Sequence, residues 1–272
     1  MNRRTAAAFG ALAGAMLVFP GQAAEAALQG ADAFVRAVLP ALGPYMVCML
    51  MVTSRVSAPA WALTGLGWLC GSPGGAKLLQ PLDMTDDQAL RCAAVSGTMS
   101  PLFFVGALAR WLGDESAGWL MLLCHLAGAA LLALALPAKG KIGKATPSPL
   151  PLGKALGETA LTLGGVCLCV MLGSAAARMA CCALPRLPAW ASAALQCALE
   201  ITGGAGALID LHLPGTLPLL CAACSFGGLS ILLQNAAIWR ESGVGFGKLL
   251  ALRSAHALLS GGLCWALTRV LY

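Results

Sequence analysis

Apolar residues run along this chain in long blocks, and the interruptions between them recur in an order. Ala6 to Phe19 is the first block, and Ala33 to Thr53 is the second, with Pro40 and Pro44 inside it. Trp61 to Cys70 is too short to cross a bilayer, whose hydrocarbon core takes roughly 20 helical residues. It runs into Gly71-Ser72-Pro73-Gly74-Gly75-Ala76-Lys77, and Ala76 to Leu82 leads out again. A re-entrant helical hairpin is predicted there, with Asp83, Asp86, Asp87 and Arg91 at its polar base. Ala89 to Trp111 is broken at Ser96-Gly97-Thr98-Met99-Ser100-Pro101. Proline removes a helix donor and clashes with the preceding turn, so a broken span is expected. Ala117 to Leu136 is an unbroken one. After a Lys/Pro/Gly-rich stretch the order repeats. Leu156 to Leu184 is a span, and Trp190 to Leu199 runs into a second break, Glu200-Ile201-Thr202-Gly203-Gly204-Ala205-Gly206. Leu208 to Pro214 closes that hairpin. Leu217 to Trp239 is a span interrupted at Ser225-Phe226-Gly227-Gly228, and Ala255 to Leu271 is the last.

These blocks predict an all-α integral membrane protein of about seven transmembrane helices plus two re-entrant hairpins. Residues 1–30 form an N-terminal span, 31–137 a first repeat, 138–153 a basic cytoplasmic loop and 154–272 a second repeat. Each repeat reads span, hairpin, broken span, span. An odd number of crossings per repeat makes the two face opposite ways. Irregular backbone at membrane depth must face protein or a water-filled cavity, because lipid offers it no partners. Paired Gly/Pro-interrupted segments in two halves of a chain point to a transporter's binding site.

Composition supports the bilayer. The chain of 272 residues is 59% hydrophobic and 10% charged, more apolar surface than a soluble domain hides. Its net charge of +6 is clustered. Arg3 and Arg4 open the chain. Lys139, Lys141, Lys144 and Lys154 share one loop, and Arg240, Lys248 and Arg253 precede the last block. Counted by the positive-inside rule, these clusters and Arg55 fall in the cytoplasm. Arg110, Asp114, Glu115, Arg178 and Arg186 fall on the far side. No aromatic residues interleave the basic clusters, which argues against nucleic acid as a partner. The partners expected are membrane lipid and a small anionic solute.

Most of the twelve cysteines sit inside apolar runs, where cysteine behaves as a small hydrophobe. Cys221 and Cys224 form a C-x-x-C with no second pair, so no metal site is expected. No cofactor is expected either, and the coupling ion is left open. The chain reads as a non-enzyme: no serine sits in a nucleophile elbow, and "GGAKLL" has no Ser or Thr after its lysine. The opening of the chain also reads two ways. Arg3-Arg4, the apolar run and Ala24-Glu25-Ala26 resemble a secretory leader. A retained first span is the preferred reading.

Lys77 is the sharpest candidate. A lysine near the bilayer midplane costs roughly 2.5–3.5 kcal/mol on insertion scales and takes a partner or a function. It follows the first break, where half-helix N–H groups already favour an anion. Binding a carboxylate, pairing with Glu200 and reaching for the surface are all open. Glu200 mirrors it in the second hairpin, as a proton carrier or as that ion-pair partner. Ser72, Gly74, Gly75, Ser100 and Thr202 are placed at the tips or breaks with Gly203 and Gly204. Ser225, Ser230 and Gln234 complete the substrate-binding set. Gly74 and Gly204 are expected where the backbone turns sharply. His125 and His256 read as packing residues, and Gly157, Gly164, Gly165 and Gly173 as helix-contact glycines.

"GSPGGAKLL", "SPLFFVGALA", "LEITGGAG" and "SFGGLSILLQ", in that order, resemble the sporulation integral membrane protein family YlbJ/SpoVV. The opening span and "VLPALGPYMV" also fit. The family carries the nucleoside-recognition, or Gate, domain. The resemblance implies retention of the first span, a location in the cell membrane (the mother-cell-derived forespore membrane) and export of dipicolinic acid. It also implies kinship in architecture with concentrative nucleoside transporters. This chain departs from the family pattern at Ser72, where a tyrosine is usual, and at Gly97, Thr98 and Met99, where asparagines are frequent.

Overall fold

The protein is described by a computed structural model covering residues 3–137 and 140–271. Lys139 of the basic loop and the side chain of Arg4 lie outside the described residues. Every regular element among those residues is helical. The first half holds α1 (Arg3–Val18), α2 (Pro20–Ala33), α3 (Leu39–Thr53), α4 (Ala60–Cys70), α5 (Gly74–Leu79), α6 (Asp86–Ser96), α7 (Ala109–Leu112) and α8 (Glu115–Ala135). The second holds α9 (Leu152–Ala183), α10 (Ala189–Leu199), α11 (Ile201–Ile209), α12 (Thr216–Phe226), α13 (Gly228–Trp239) and α14 (Phe246–Leu271).

Local sequence explains most boundaries. Pro20 occupies the first turn of α2, where its missing N–H costs nothing. A π turn over Phe34–Val38 joins α2 to α3, just before Pro40 and Pro44 remove two donors from the ladder. The result is one continuous 34-residue helix, Pro20–Thr53. The division expected at 30/31 therefore falls inside a helix. Thr85 and Gln88 form a capping box on α6, and Asp114 caps α8 by accepting from the Ser116 and Ala117 amides.

Among the described residues, four helical stretches are long and apolar enough to cross a membrane: Pro20–Thr53, Glu115–Ala135, Leu152–Ala183 and Thr216–Ser242. The protein is thus an all-α, membrane-associated chain. Its outer surface agrees, with Leu161 81% and Leu258 78% exposed, which suits lipid rather than water. The other three apolar blocks fall short of that length or apolarity for physical reasons. Ala6–Val18 is short, the block from Ala89 to Trp111 is split, and α14 carries Lys248, Arg253 and Arg269. The last helix starts at Phe246, well before the expected Ala255.

Small residues set the packing. Ala23, Ala26 and Gly30 of α2 are buried, and a Cβ at Gly30 would lie 2.7 Å from Ser174 Oγ of α9. Between α14 and α12, a Cβ at Gly261 would lie 2.8 Å from that of Ala222. In lipid such close approach, through dispersion contacts, replaces the hydrophobic effect as the force between helices.

Candidate functional site

Two short hairpins and two broken helices meet at the centre of the molecule. The first hairpin, α4–α5, turns at Gly71-Ser72-Pro73, with Gly71 at φ 69°, a conformation that favours glycine. Its tip sits on the break between α6 and Pro101: Ser72 N–H donates to Thr98 O at 2.7 Å. The second hairpin, α10–α11, turns at a single residue, Glu200. Its tip sits on the break at Gly227-Gly228, where a Cβ on Gly228 would lie 3.1 Å from Cys197 O.

The glycine-rich run after Glu200 is therefore not itself the break. Gly203 and Gly204 lie inside α11, and Gly74 and Gly75 inside α5. Close approach is the role of Gly204, Gly74 and Gly75, whereas a Cβ at Gly203 would meet only Glu200 Oε2 at 3.4 Å. A Cβ at Gly204 would collide with the Cys197 backbone, one at Gly74 would lie 2.9 Å from Cys70 Cβ, and one at Gly75 would lie 3.1 Å from Gly67 O. Gly173 of α9 gives room to Glu200 in the same way, whereas Gly157, Gly164 and Gly165 face open space.

A cavity of about 40 Å³ lies between the tips and breaks, lined by Ser72, Ser100, Glu200, Thr202, Ser230 and Gln234 among others. Six candidates are thus brought together. Asn235 joins them, donating to Ser72 Oγ at 2.7 Å and tying the first hairpin to α13. Among the described residues, Ser230 Oγ and both amide atoms of Gln234 on this lining have no hydrogen-bond partner, nor do Asn235 Oδ1 and Thr98 Oγ1. Each such buried group costs roughly 1–3 kcal/mol, so a concentration of them marks a place where water or a ligand completes the bonding. At roughly 10–15 Å³ per water the cavity has room for water but not for a ring dicarboxylate.

Lys77 and Glu200 do not meet. Glu200 is 2% exposed, and its carboxylate caps α11, accepting from Thr202 N at 2.8 Å and Gly203 N at 2.7 Å. It occupies the anion-favouring helix start itself. Lys77 is exposed, with Nζ 2.6 Å from Thr162 Oγ1. It lines a separate cavity of about 440 Å³ with Lys144, Lys154, Glu158 and Ser148. A third cavity, about 170 Å³, is lined by Gln29, Ser174, Arg178, Ser192, Gln196 and Glu200.

The three cavities line up along α9. The largest touches Glu158, the smallest touches Val166 and Val170, and the third touches Ser174, Arg178 and Cys181. At about 1.5 Å per residue, the step from Glu158 to Val166 is roughly 12 Å and that from Val170 to Ser174 roughly 6 Å. Lys77 reaches Thr162, which lies on α9 between Glu158 of the large cavity and Val166 of the central one. Glu200 lines both the central and the third.

Ser225 stands apart from the cavity in a buried network whose members beyond it were expected to be packing residues or surface cations. Arg253 is 2% exposed, not part of a surface basic cluster. It donates to Gly97 O at 2.5 Å, Ala94 O at 2.6 Å and Ala93 O at 3.4 Å, and Trp68 Nε1 donates to Val95 O at 2.9 Å. The carbonyls left open where α6 ends are satisfied by this set. A Cβ at Gly97 would lie 2.6 Å from Arg253 Cζ, so glycine there admits the guanidinium. Arg253 and His256, three apart on one helix, were the available sequence signal. No family model, no curated protein and no solved structure matches this chain.

Proposed function

We propose that the chain is a multi-pass transporter that moves a small solute across the cell membrane by alternating access. The observation that carries this reading is the row of three cavities, two wider ones separated by a nearly closed centre whose polar groups await partners. Broken helices meeting near the middle of a bilayer are the usual architecture of such a site. In this reading the chain makes about seven crossings in two inverted repeats, on the plan of concentrative nucleoside transporters. Each hairpin rocks with the broken span it touches. The large cavity, with Lys77, Lys144 and Lys154, opens to the cytoplasm and gathers anions.

The cargo is a small carboxylate, with dipicolinate, in the forespore membrane, the particular one that the family resemblance implies. The charge of the central cavity favours a second reading. Among the described residues that line it, Glu200 is the one ionisable residue, and Ser230 and Gln234 are neutral, which suits an uncharged polar cargo such as a nucleoside. Uptake of labelled dipicolinate and, in parallel, of labelled nucleosides into proteoliposomes holding this protein alone separates the two. Saturable dipicolinate uptake supports the first reading. Uptake of nucleoside alone supports the second. Uptake of neither removes both cargoes and favours a membrane assembly factor over transport.

A further inference from the structure

His125 of α8 is fully buried and bridges the two broken helices. Its Nε2 lies 3.0 Å from the amide of Met99, in the break that follows α6, and its Nδ1 lies 2.8 Å from Ser225 Oγ, at the end of α12. A backbone N–H can only donate, so Nε2 accepts. A neutral imidazole has one N–H, which must then sit on Nδ1 and donate to Ser225. His256 is constrained the same way. Arg253 Nη1 lies 3.3 Å from its Nδ1 and can only donate, and Nε2–H donates to His125 O at 2.8 Å. The two rings lie 4.7 Å apart. The closed arrangement thus admits both histidines only in the neutral form, each with a defined tautomer.

The surroundings reinforce this. From α14 the His256 ring faces it, and the Arg253 cation stands against the Nδ1 of His256. From α12 comes Ser225, with the buried thiols of Cys221 and Cys224 on the same helix. The segment after α6 contributes the Met99 amide and the Phe104 ring, and the charged residues of α6 and α7 (Asp86, Asp87, Arg91, Arg110) are not buried. Among the described residues no carboxylate pairs with Arg253. A proton added at Nε2 takes the lone pair that holds Met99 and puts a second cation into the buried network that already holds the guanidinium.

We propose that His125 is a proton-operated latch: its neutral ring ties the two broken spans together, and a proton bound at Nε2 unties them. A proton that binds only the open form shifts the population toward opening as pH falls. The latch rests on this geometry alone. Its use as the site of proton coupling rests on the transport reading above.

The test begins with the wild-type protein, its three histidines labelled with 15N, in a lipid nanodisc. At pH 8 the His125 ring should carry its proton on Nδ1 and His256 on Nε2. Between pH 8 and pH 5 His125 should become an imidazolium. Over the same interval the amide protection of residues 97–103, corrected for intrinsic exchange, should fall at least tenfold. A charged ring at pH 8, a proton on Nε2 of His125 at pH 8, or a ring neutral down to pH 5 overturns the proposal. In His125→Gln the protection should be independent of pH, and an unchanged fall would also overturn it. Should that variant not fold, Ser225→Ala removes the acceptor of Nδ1–H while leaving Met99 in place. The fall should then begin at higher pH, and an unmoved midpoint counts against the latch. In proteoliposomes, absent uptake at every pH removes the transport reading and leaves the latch standing. Uptake indifferent to pH removes the coupling role.

Discussion

Arg253 shows how one side chain makes a broken helix tolerable inside a membrane protein. Ending α6 at Ser96 leaves carbonyls without partners, and in lipid each would be costly. The guanidinium reaches Ala93, Ala94 and Gly97 at once, because its planar donors fan out in a fixed fork. Arg253→Met should orphan those carbonyls and lower stability by about 1–3 kcal/mol for each left unsatisfied. Gly97→Ala should have the same kind of effect by excluding the guanidinium, and the two changes together should cost less than their sum. Thermal unfolding in detergent checks this. Simple addition of the two losses would show that they do not act on one contact. Neither residue stood out in the sequence: Arg253 lay in what read as a surface basic cluster, and Gly97 in what read as a missing asparagine. Which carbonyls need a donor depends on residues some 160 positions away in the chain.

At the scale of elements, both hairpins and both interrupted spans were legible, because a short apolar run ending in Gly or Pro cannot continue across a bilayer. The exact place of each break was less so. Glycine reads as a breaker, yet Gly203, Gly204 and Gly206 all lie within α11. Gly204 is spared a side chain because α10 lies against it, whereas a Cβ at Gly206 meets nothing within 4 Å. Gly204→Ala should therefore unfold or splay the second hairpin, while Gly206→Ala should be neutral or mildly stabilising, by up to about 1 kcal/mol of helix propensity. Expression yield and melting temperature of the two variants distinguish them. Equal behaviour would show that the close approach of α10 and α11 is not needed.

Across the whole molecule, Lys77 and Glu200 guard different ends of one row of cavities and share no contact. Under the anion reading, Lys77→Gln weakens the gathering of cargo at the basic cavity, and Glu200→Gln loosens the cap of α11. Effects on apparent affinity should add within about 0.3–0.5 kcal/mol, as for distant sites. Rescue of one by the other in a proteoliposome uptake assay would show coupling that this geometry lacks. The amino-acid sequence by itself determined the helical class, the membrane setting, the two hairpins, the two breaks and the basic loop. Each follows from local runs of apolar residues and from the local chemistry of Gly, Pro and Lys. Tertiary structure alone decided that six of the candidates share one small cavity, that Lys77 faces a different one, and that Arg253, His256 and His125 join the two halves. Those outcomes depend on which side chains from distant stretches come within about 3 Å of each other, the range in which a hydrogen bond forms. Periodicity along a chain carries no such distances.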